Sequence, residues 1–314
     1  MKKVFVGIVS VLVLVLIILP FIIGDVEVDE LNDETRSRLE GQFIQLSDGS
    51  VHYELKGPPD SRVVVLVHGN AAPYFTWDYN VPALVEAGFR VLRYDIYGHG
   101  FSDRPKLKKY NRNLYDRQIV ELLKALKVNK PVHIIGTSQG GSIATYFTAI
   151  HPEKVKKLAL LSPLFDSFEG EGMVRLLITP GIGEYFMKVF GDKSATDPSK
   201  VLASTNKIPE LTEKLKQQIR FKGKKRAILA NMRGDALENN TDYYEKVRDQ
   251  NRPILLTWGD KDKSISGESM KRLRELIPSI EYHELTDVGH LAHYERPEEI
   301  NPILIEFLNN NYIP

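Results

Sequence analysis

Val132–Gly141 reads VHIIGTSQGG, and this stretch decides the predicted fold. Its first four residues are typical of a buried strand, and Gln139–Ile150 has the pattern of a helix. A strand that turns sharply into a helix crowds the backbone, and Gly136 and Gly140 relieve that crowding. Ser138 is then lifted to the carboxyl edge of a sheet, beside a helix N-terminus that favours developing negative charge. We therefore predict that Ser138 is a nucleophile.

The rest of the chain alternates between strand-like and helix-like segments. The first two predicted strands flank Asp48-Gly49, a hairpin signal, whereas the continuous apolar run Arg62–Val67 indicates a strand buried on both faces. This order predicts an α/β fold with a mostly parallel, doubly wound sheet. Residues 41–162 and 253–314 form the predicted core. Residues 163–252 hold no convincing strand and are predicted to be an inserted helical lid.

Composition indicates an ordinary globular protein. Of the 314 residues, 42% are hydrophobic and 26% are charged, and the formal net charge is +1. A near-neutral chain lacks the basic footprint that nucleic acid requires, so we expect no nucleic-acid partner. The chain has no Cys, which excludes disulfides, thiolate zinc sites and a Cys nucleophile. Nothing in the sequence points to a particular protein partner.

The N-terminal segment, residues 1–24, differs from the rest of the chain. Lys2 and Lys3 precede an uncharged apolar run, Val4–Ile23, whose length as a helix would be roughly 30 Å. We predict an uncleaved signal anchor, a single transmembrane helix with its N-terminus in the cytoplasm and the catalytic domain outside. An acidic juxtamembrane linker, residues 25–40, follows it. The alternative is a cleaved signal peptide, which would make the protein secreted.

A serine nucleophile needs a base, and the base needs a carboxylate to orient it. His290 is the predicted base, because it follows the last predicted strand and can reach over the carboxyl edge toward the nucleophile. Its neighbour His293 is expected to lie at a helix start. Asp262 is the predicted acid, because a few residues of loop separate it from the preceding strand. Asp260 and Asp166 are the alternatives.

Hydrolysis of an acyl group also needs hydrogen-bond donors for the tetrahedral oxyanion. The backbone N–H of Gln139, at the start of a helix, is one predicted donor. The other is expected from the loop after Val67, where Gly69 lets the backbone N–H of Asn70 or Ala71 approach the substrate closely.

With these motifs the chain resembles the lid-bearing α/β-hydrolases of the esterase, lipase and C–C hydrolase group. The resemblance runs from about residue 42 to residue 310 and rests on His68-Gly69, Asp95–Ser102, the turn at Ser138, Trp258–Asp262 and Gly289-His290. It implies a catalytic triad of Ser138, Asp262 and His290, with Asn70 and Gln139 as oxyanion donors. It also implies that the Asp95–Ser102 loop is structural and that no metal or organic cofactor is required.

The similar haloalkane dehalogenases and epoxide hydrolases use a carboxylate nucleophile, so Ser138 favours acyl chemistry. The predicted function is therefore a serine hydrolase that cleaves a carboxylic ester, with a small-molecule ester or lipid as substrate. The apolar segment Met173–Phe190 favours a hydrophobic acyl group, although it could equally pack onto the core. The basic run Lys222–Arg226 is expected to be a solvated face, with anionic headgroups as the other interpretation.

Two further functions stay open at this point. The same fold could cleave an amide, a thioester or a C–C bond, and the lid residues that would decide the bond type follow no readable pattern. A non-catalytic, hydrolase-like binding module is less favoured, because every position expected for a catalytic triad is filled.

Overall fold

The computed structural model describes residues 5, 10, 14–15, 18–70, 72–166 and 171–310, without the side chains of residues 171–174. Eight strands in these residues form one sheet, in the spatial order β1-β2-β4-β3-β5-β6-β7-β8. The strands are β1 (Gln42–Leu46), β2 (Gly49–Lys56), β3 (Val63–Val67), β4 (Arg90–Tyr94), β5 (Val132–Thr137), β6 (Val155–Leu161), β7 (Ile254–Gly259) and β8 (Glu281–Leu285).

The sheet is mostly parallel, as the sequence predicts. β2 pairs antiparallel with β1 and with β4, and β3 through β8 run parallel to one another. From β3 the chain passes to β4 on one side and then returns across β3 to β5 on the other. In open α/β sheets, ligands bind beyond the carboxyl ends of the strands at such a reversal point. This topology brings together the loops that follow β3 and β5.

Helices cover both faces of the sheet and fill the segment between β6 and β7. They are α1 (Asp33–Arg36), α2 (Val81–Glu86), α3 (Arg112–Ala125), α4 (Gln139–Ile150), α5 (Glu171–Ile178), α6 (Ile182–Ala195), α7 (Ile208–Ile219), α8 (Lys224–Met232), α9 (Thr241–Arg248), α10 (Gly267–Leu276), α11 (Ala292–Glu295) and α12 (Pro297–Asn309). Helices α5 to α9 all fall within the predicted lid, residues 163–252. The division of the chain into lid and core stays a prediction.

The central strands are buried on both faces because their side chains alternate between two apolar layers. In β3, Val65 and Val67 join the layer that includes Phe147 of α4, whereas Val64 and Leu66 join the layer that includes Leu304 of α12. This arrangement explains why the β3 sequence is continuously apolar rather than alternating. It also fixes the positions of the two loops that carry the site.

The acidic residues 25–30, which we call the strap, pack along the lid instead of forming a free linker. Asp29 N donates to Arg220 O (3.0 Å) and Asp29 O accepts from Lys222 N (2.9 Å), which makes a short parallel bridge. Arg220 also pairs with the Asp29 carboxylate at 2.8 Å, and Lys222 with Glu30 at 2.8 Å. The basic run Lys222–Arg226 is therefore not simply the solvated face expected from its charge: Lys222 and Lys225 pair with acids distant in sequence, and Lys224 is buried.

Glu27 of the strap holds the first turn of α8. Its carboxylate accepts hydrogen bonds from Gly223 N (2.8 Å) and Lys225 N (2.5 Å), two N–H groups that have no acceptor within the helix. Asp25 forms ion pairs with Lys225 and with Lys188 of α6, each at 3.1 Å. Burial alone would raise the pKa of Asp25, but these hydrogen bonds outweigh it and lower the pKa to about 2.

The predicted transmembrane anchor is not supported. Within the described ranges, no helix is long and apolar enough to cross a bilayer. Much of the run Val4–Ile23 lies outside the described residues, and residues 18–22 of it are helical. On the finding for the described ranges the predicted localisation, a single-pass anchor with an extracytoplasmic catalytic domain, is wrong.

Candidate active site

Ser138 lies in the sharp turn between β5 and α4. Its backbone has φ 54° and ψ −125°, a conformation that residues with a side chain rarely adopt. The turn closes tightly: a Cβ on Gly136 would lie 2.3 Å from Gly140 O, and a Cβ on Gly140 would lie 2.2 Å from Val67 O. Only glycine fits at either position. The sequence pattern thus produces the strained turn that presents a serine at the carboxyl edge of the sheet.

The loop after β3 touches this turn through Gly69. A Cβ at Gly69 would lie 2.8 Å from the Ser138 Cβ and 3.1 Å from Thr137 O, so the position admits no side chain. His68 holds the loop from behind: its Nδ1 donates to Gly69 O (2.7 Å) and its Nε2 accepts from Ile96 N (3.0 Å). Asn70 is thereby placed beside Ser138. Ala71 lies outside the described residues.

His290 and Asp262 form a buried hydrogen-bonded pair, with Nδ1 and Oδ2 2.8 Å apart. The other carboxylate oxygen, Oδ1, accepts from the backbone N–H groups of Ser264 (2.8 Å) and Ile265 (3.0 Å). Burial would raise the pKa of Asp262, but the neighbouring His290 and the two N–H donors outweigh it, and the pKa is lowered. This pair uses Nδ1 of the ring, and His290 lines the smaller of the two cavities that Ser138 also lines.

The alternative acids and the second histidine contact other residues instead of completing the site. Asp260 pairs with Lys261 at 3.1 Å, and Asp166 pairs with Arg272. His293 is fully buried, with its ring 4.1 Å from the Trp77 ring and both ring nitrogens without a hydrogen bond. Burial lowers the pKa of His293 to about 3, so its imidazole is neutral. Of these groups, only the pair of His290 and Asp262 lies at the site.

Two cavities meet at Ser138 and Asn70. The larger, of about 610 Å³, is bounded by Gln139, Leu164 and Ile265 and has charged residues at its edge, among them Arg175 and Lys109. The smaller, of about 330 Å³, contains His290 and runs between lid helices along a mostly apolar wall of Leu177, Phe186, Met187, Leu215, Ile219 and Ile228. The arrangement can hold a substrate with two arms on either side of a reacting carbon near Ser138.

Three polar residues at the site escaped the sequence analysis: Asn231, His99 and Glu295. Asn231 of α8 hydrogen-bonds to both Asn70 and Gln139, and His99 Nε2 lies 2.9 Å from Asn70 Oδ1. Glu295 accepts from Gly289 N (2.9 Å), next to His290, and from Ser204 N in the lid. A lone amide in the apolar stretch AILANM was a signal for Asn231, since a buried polar group needs partners.

A second buried pair, Asp95 and His52, lies under the site, with Oδ2 and Nδ1 2.7 Å apart. Backbone N–H groups from two loops bind this carboxylate: Oδ1 accepts from Tyr74 N (3.0 Å), in the segment after β3, and Oδ2 accepts from Phe101 N (2.9 Å), in the loop after β4. Burial would raise the pKa of Asp95, but the hydrogen bond from His52 and the neighbouring charges lower it to about 2. Neither residue lines the cavities at Ser138.

No cluster of three or more His, Cys, Asp or Glu side chains in the described part of the chain could hold a metal ion.

Comparisons with known proteins agree with this architecture. A family model described as the alpha/beta hydrolase fold matches residues 62–297. The 2-hydroxy-6-oxononadienedioate/2-hydroxy-6-oxononatrienedioate hydrolase of Cupriavidus pinatubonensis is 28% identical over 290 residues, which cover 86% of this chain and 95% of the relative.

Solved structures show the same fold. The carboxylesterase CesB from Bacillus subtilis superposes with a TM-score of 0.71 at 22% identity and covers 89% of this chain and 96% of its own. A membrane phospholipase A described as a bacterial virulence factor superposes with a TM-score of 0.69 at 23% identity and covers 98% of both chains. At these identities the structures show the fold alone, while the family model spans most of the sequence. The chain therefore belongs to the α/β-hydrolase fold family of enzymes.

Proposed function

We propose that the protein hydrolyses a carboxylic ester through an acyl-enzyme on Ser138. His290 Nε2 accepts the Ser138 hydroxyl proton as the oxygen attacks the carbonyl carbon, and Asp262 stabilises the imidazolium that forms. The leaving alcohol takes the proton from His290. A water molecule then attacks the acyl-enzyme with the same base, which releases the acid and restores the serine.

One observation carries this proposal. A serine in a strained turn at a helix N-terminus shares a cavity with a histidine whose Nδ1 is bound by a buried aspartate. Those are the three groups that nucleophilic acyl transfer needs: a nucleophile, a base at the same cavity, and a group that orients the base. The backbone N–H of Gln139, the first residue of α4, has no acceptor within the helix and supports the role of oxyanion donor.

The two cavities favour a substrate with one apolar arm. The smaller cavity's mostly apolar wall suits a hydrophobic acyl group, and the larger cavity, whose lining includes the charged Arg175 and Lys109, suits a more polar leaving group. The similar carboxylesterase and phospholipase A are ester hydrolases by name, which supports the proposal only as analogy.

Hydrolysis of a C–C bond is the second candidate. The hydrolases of 2-hydroxy-6-oxononadienedioate align with nearly their whole length to this chain, and a serine-histidine pair can also add water across such an activated ketone. The two candidates share the nucleophile and the base and differ in the bond that breaks.

The first experiment is fluorophosphonate labelling of the purified full-length chain, with Ser138→Ala beside it. Ser162→Ala is the matched control, because Ser162 also follows a parallel strand at positive φ (43°) and is buried, yet lies outside both cavities. We expect labelling in the wild type and in Ser162→Ala and none in Ser138→Ala. Absence of labelling in the wild type, or labelling retained in Ser138→Ala, would overturn the proposed nucleophile.

Turnover then separates the two candidates. We expect hydrolysis of p-nitrophenyl esters, with kcat/KM rising from acetate toward medium-length acyl chains as the smaller cavity fills. A 2-hydroxy-6-oxodienoate probe, whose colour is lost on cleavage, tests the C–C alternative. A labelled enzyme that bleaches this probe and cleaves no ester would replace the ester proposal with the C–C one.

A further inference from the structure

Asn231 connects the predicted lid to the residues on both sides of Ser138. It lies near the end of α8 and is fully buried. Its side-chain amide reaches Gln139, the residue after Ser138, and Asn70, in the loop that Gly69 brings against Ser138. A residue more than ninety positions away in sequence thus contacts both predicted oxyanion residues.

Every hydrogen-bonding position of the Asn231 amide is used. Oδ1 accepts from Gln139 Nε2 and from Tyr115 OH, each at 2.7 Å, and Nδ2 donates to Gln139 Oε1 (3.0 Å) and Asn70 Oδ1 (3.2 Å). An amide has two acceptor and two donor positions, so this set saturates it. Burial raises the pKa of Tyr115 well above its ordinary value, which keeps its hydroxyl protonated and able to donate to Asn231 Oδ1.

The same network orients the side chain of Asn70. Two donors converge on its Oδ1: Asn231 Nδ2 and, at 2.9 Å, His99 Nε2. Burial and then the charge of Lys224 lower the pKa of His99 well below its ordinary value, so the ring is neutral and carries one hydrogen. We assign that hydrogen to Nε2, because its contact with Asn70 Oδ1 is shorter than the 3.4 Å contact of Nδ1 with Tyr97 O. With Oδ1 held from two sides, Asn70 Nδ2 has no partner among the described residues, and Asn70 lines both cavities beside Ser138.

We propose that Asn231 is a positioning residue for the reaction: its amide holds the side chains of Asn70 and Gln139 so that donors at both residues stay aimed at the oxyanion. This inference rests on the proposed acyl-transfer function. It assigns to the lid a part in transition-state stabilisation in addition to enclosing the substrate. Oriented donors act most strongly when they need not reorganise during the reaction, and a saturated buried network supplies that rigidity.

Asn231→Leu tests the role, because leucine keeps a similar volume and removes all four hydrogen bonds. We expect kcat to fall about 10- to 100-fold, less than the 10²–10³ typical of deleting an oxyanion donor itself, with KM changed less than about threefold. Asn231→Asp is the second variant, in case leucine prevents folding. It keeps the acceptors for Tyr115 OH and Gln139 Nε2 and loses the donations to Gln139 Oε1 and Asn70 Oδ1, so kcat should fall by a similar factor.

Asn80→Leu is the matched control. Asn80 is also fully buried, and its amide donates to His293 O (3.1 Å) and Asn301 Oδ1 (2.7 Å), away from both cavities. We expect a comparable loss of melting temperature in Asn80→Leu with kcat of the folded enzyme unchanged. An equal fall of kcat in both variants would mean that Asn231 acts only through stability and would overturn the proposal.

Two readouts distinguish positioning from a general structural role. A boronic acid that forms a tetrahedral adduct with Ser138 should lose affinity in Asn231→Leu by the factor lost in kcat/KM, while an uncharged product analogue should not. In an Asn70→Ala background, Asn231→Leu should cost much less than in the wild type, because the two residues act as a unit. Additive effects, or unchanged affinity for the boronic acid, would contradict the proposal.

The rate of fluorophosphonate labelling tests the role of Asn231 independently of whether the enzyme cleaves an ester or a C–C bond. Phosphonylation of Ser138 also places an oxyanion in the hole, so its rate should fall in Asn231→Leu whichever bond the enzyme cleaves. A wild type that labels but cleaves no ester would refute the ester proposal and leave the labelling rate to decide on Asn231. A wild type that does not label would overturn both.

Discussion

The molecule contains two buried Asp–His pairs with nearly the same geometry and different surroundings. Asp262 and His290 are 2.8 Å apart, and Asp95 and His52 are 2.7 Å apart. All four side chains are at most 2% exposed. By distance and burial alone, either pair could orient a catalytic base.

The difference lies in the second ring nitrogen. His52 Nε2 lies 2.8 Å from Glu40 O, and the rings of Tyr74 and Phe101 pack against its imidazole, so His52 has no free edge. His290 uses Nδ1 for its pair with Asp262 and lines a cavity together with Ser138. A buried Asp–His pair becomes a candidate for catalysis only when its outer nitrogen is open to a nucleophile and a substrate. The four predictions below test whether the first pair is catalytic and the second is structural.

The largest effect is expected from His290→Ala. Removing the base should lower kcat by about 10⁴- to 10⁶-fold, because the serine loses its proton acceptor. Steady-state kinetics on the best p-nitrophenyl ester, with circular dichroism to verify the fold, measures this. A loss smaller than about tenfold would show that another group acts as the base.

Asp262→Asn should lower kcat by about 10³- to 10⁴-fold with little change in KM, because an amide can hold His290 in the wrong tautomer. The matched control is Asp260→Asn, because Asp260 lies two residues away in the same loop and its carboxylate pairs with Lys261. We expect kcat within about threefold of wild type for the control. Equal losses in the two variants would point to the loop rather than to the carboxylate.

Asp95→Asn should leave the chemistry intact and weaken the fold. It removes the charge that pairs with His52 and accepts from Tyr74 N and Phe101 N, and breaking a buried pair typically costs about 3–5 kcal/mol. Urea unfolding should show this loss, with kcat per folded molecule within about threefold of wild type. A large fall in kcat at unchanged stability would mean that the second pair is not structural.

The smallest effect is a dependence on pH. The pKa of Asp95 is about 2 in the folded protein, below the value of about 3.9 for an unfolded chain. The stability that this carboxylate contributes is therefore present above about pH 4 and is lost as pH falls toward about 2. The difference in unfolding free energy between wild type and Asp95→Asn should shrink over that range. A difference that stays constant from pH 5 to pH 3 would contradict this assignment.

The fold was largely predictable because its signals are local. Continuous apolar runs such as Val63–Val67 need two covered faces, and the glycines around Ser138 allow one backbone path. The placement of Asp262 beside His290 follows from the parallel topology, which brings the ends of β7 and β8 to one edge. Each of these features is decided by residues close together in sequence or in strand order.

The other features of the fold and the site could not be predicted, because they depend on contacts between residues that are distant in sequence and that no local pattern identifies. The run Lys222–Arg226 has the composition of a solvated face, and only the folded chain shows that residues 25–30 pair with it. Asn231 is a single polar residue whose four hydrogen bonds go to three residues in three other segments. The apolar run at the N-terminus led to a wrong prediction of localisation, because hydropathy alone was used to predict a span and no helix in the described residues is long and apolar enough to cross a bilayer.

The docking of the strap has a consequence for the order of events on the ribosome. Asp29 and its partner Arg220 are 191 residues apart in sequence, so the acidic segment leaves the exit tunnel long before the basic segment is made. At about 5–20 residues per second, that delay is roughly 10–40 s. Until then the Glu27 carboxylate lacks the N–H groups at the start of α8 that it caps in the finished protein. We expect the strap of the nascent chain to stay sensitive to a protease until the segment around Arg220 has emerged.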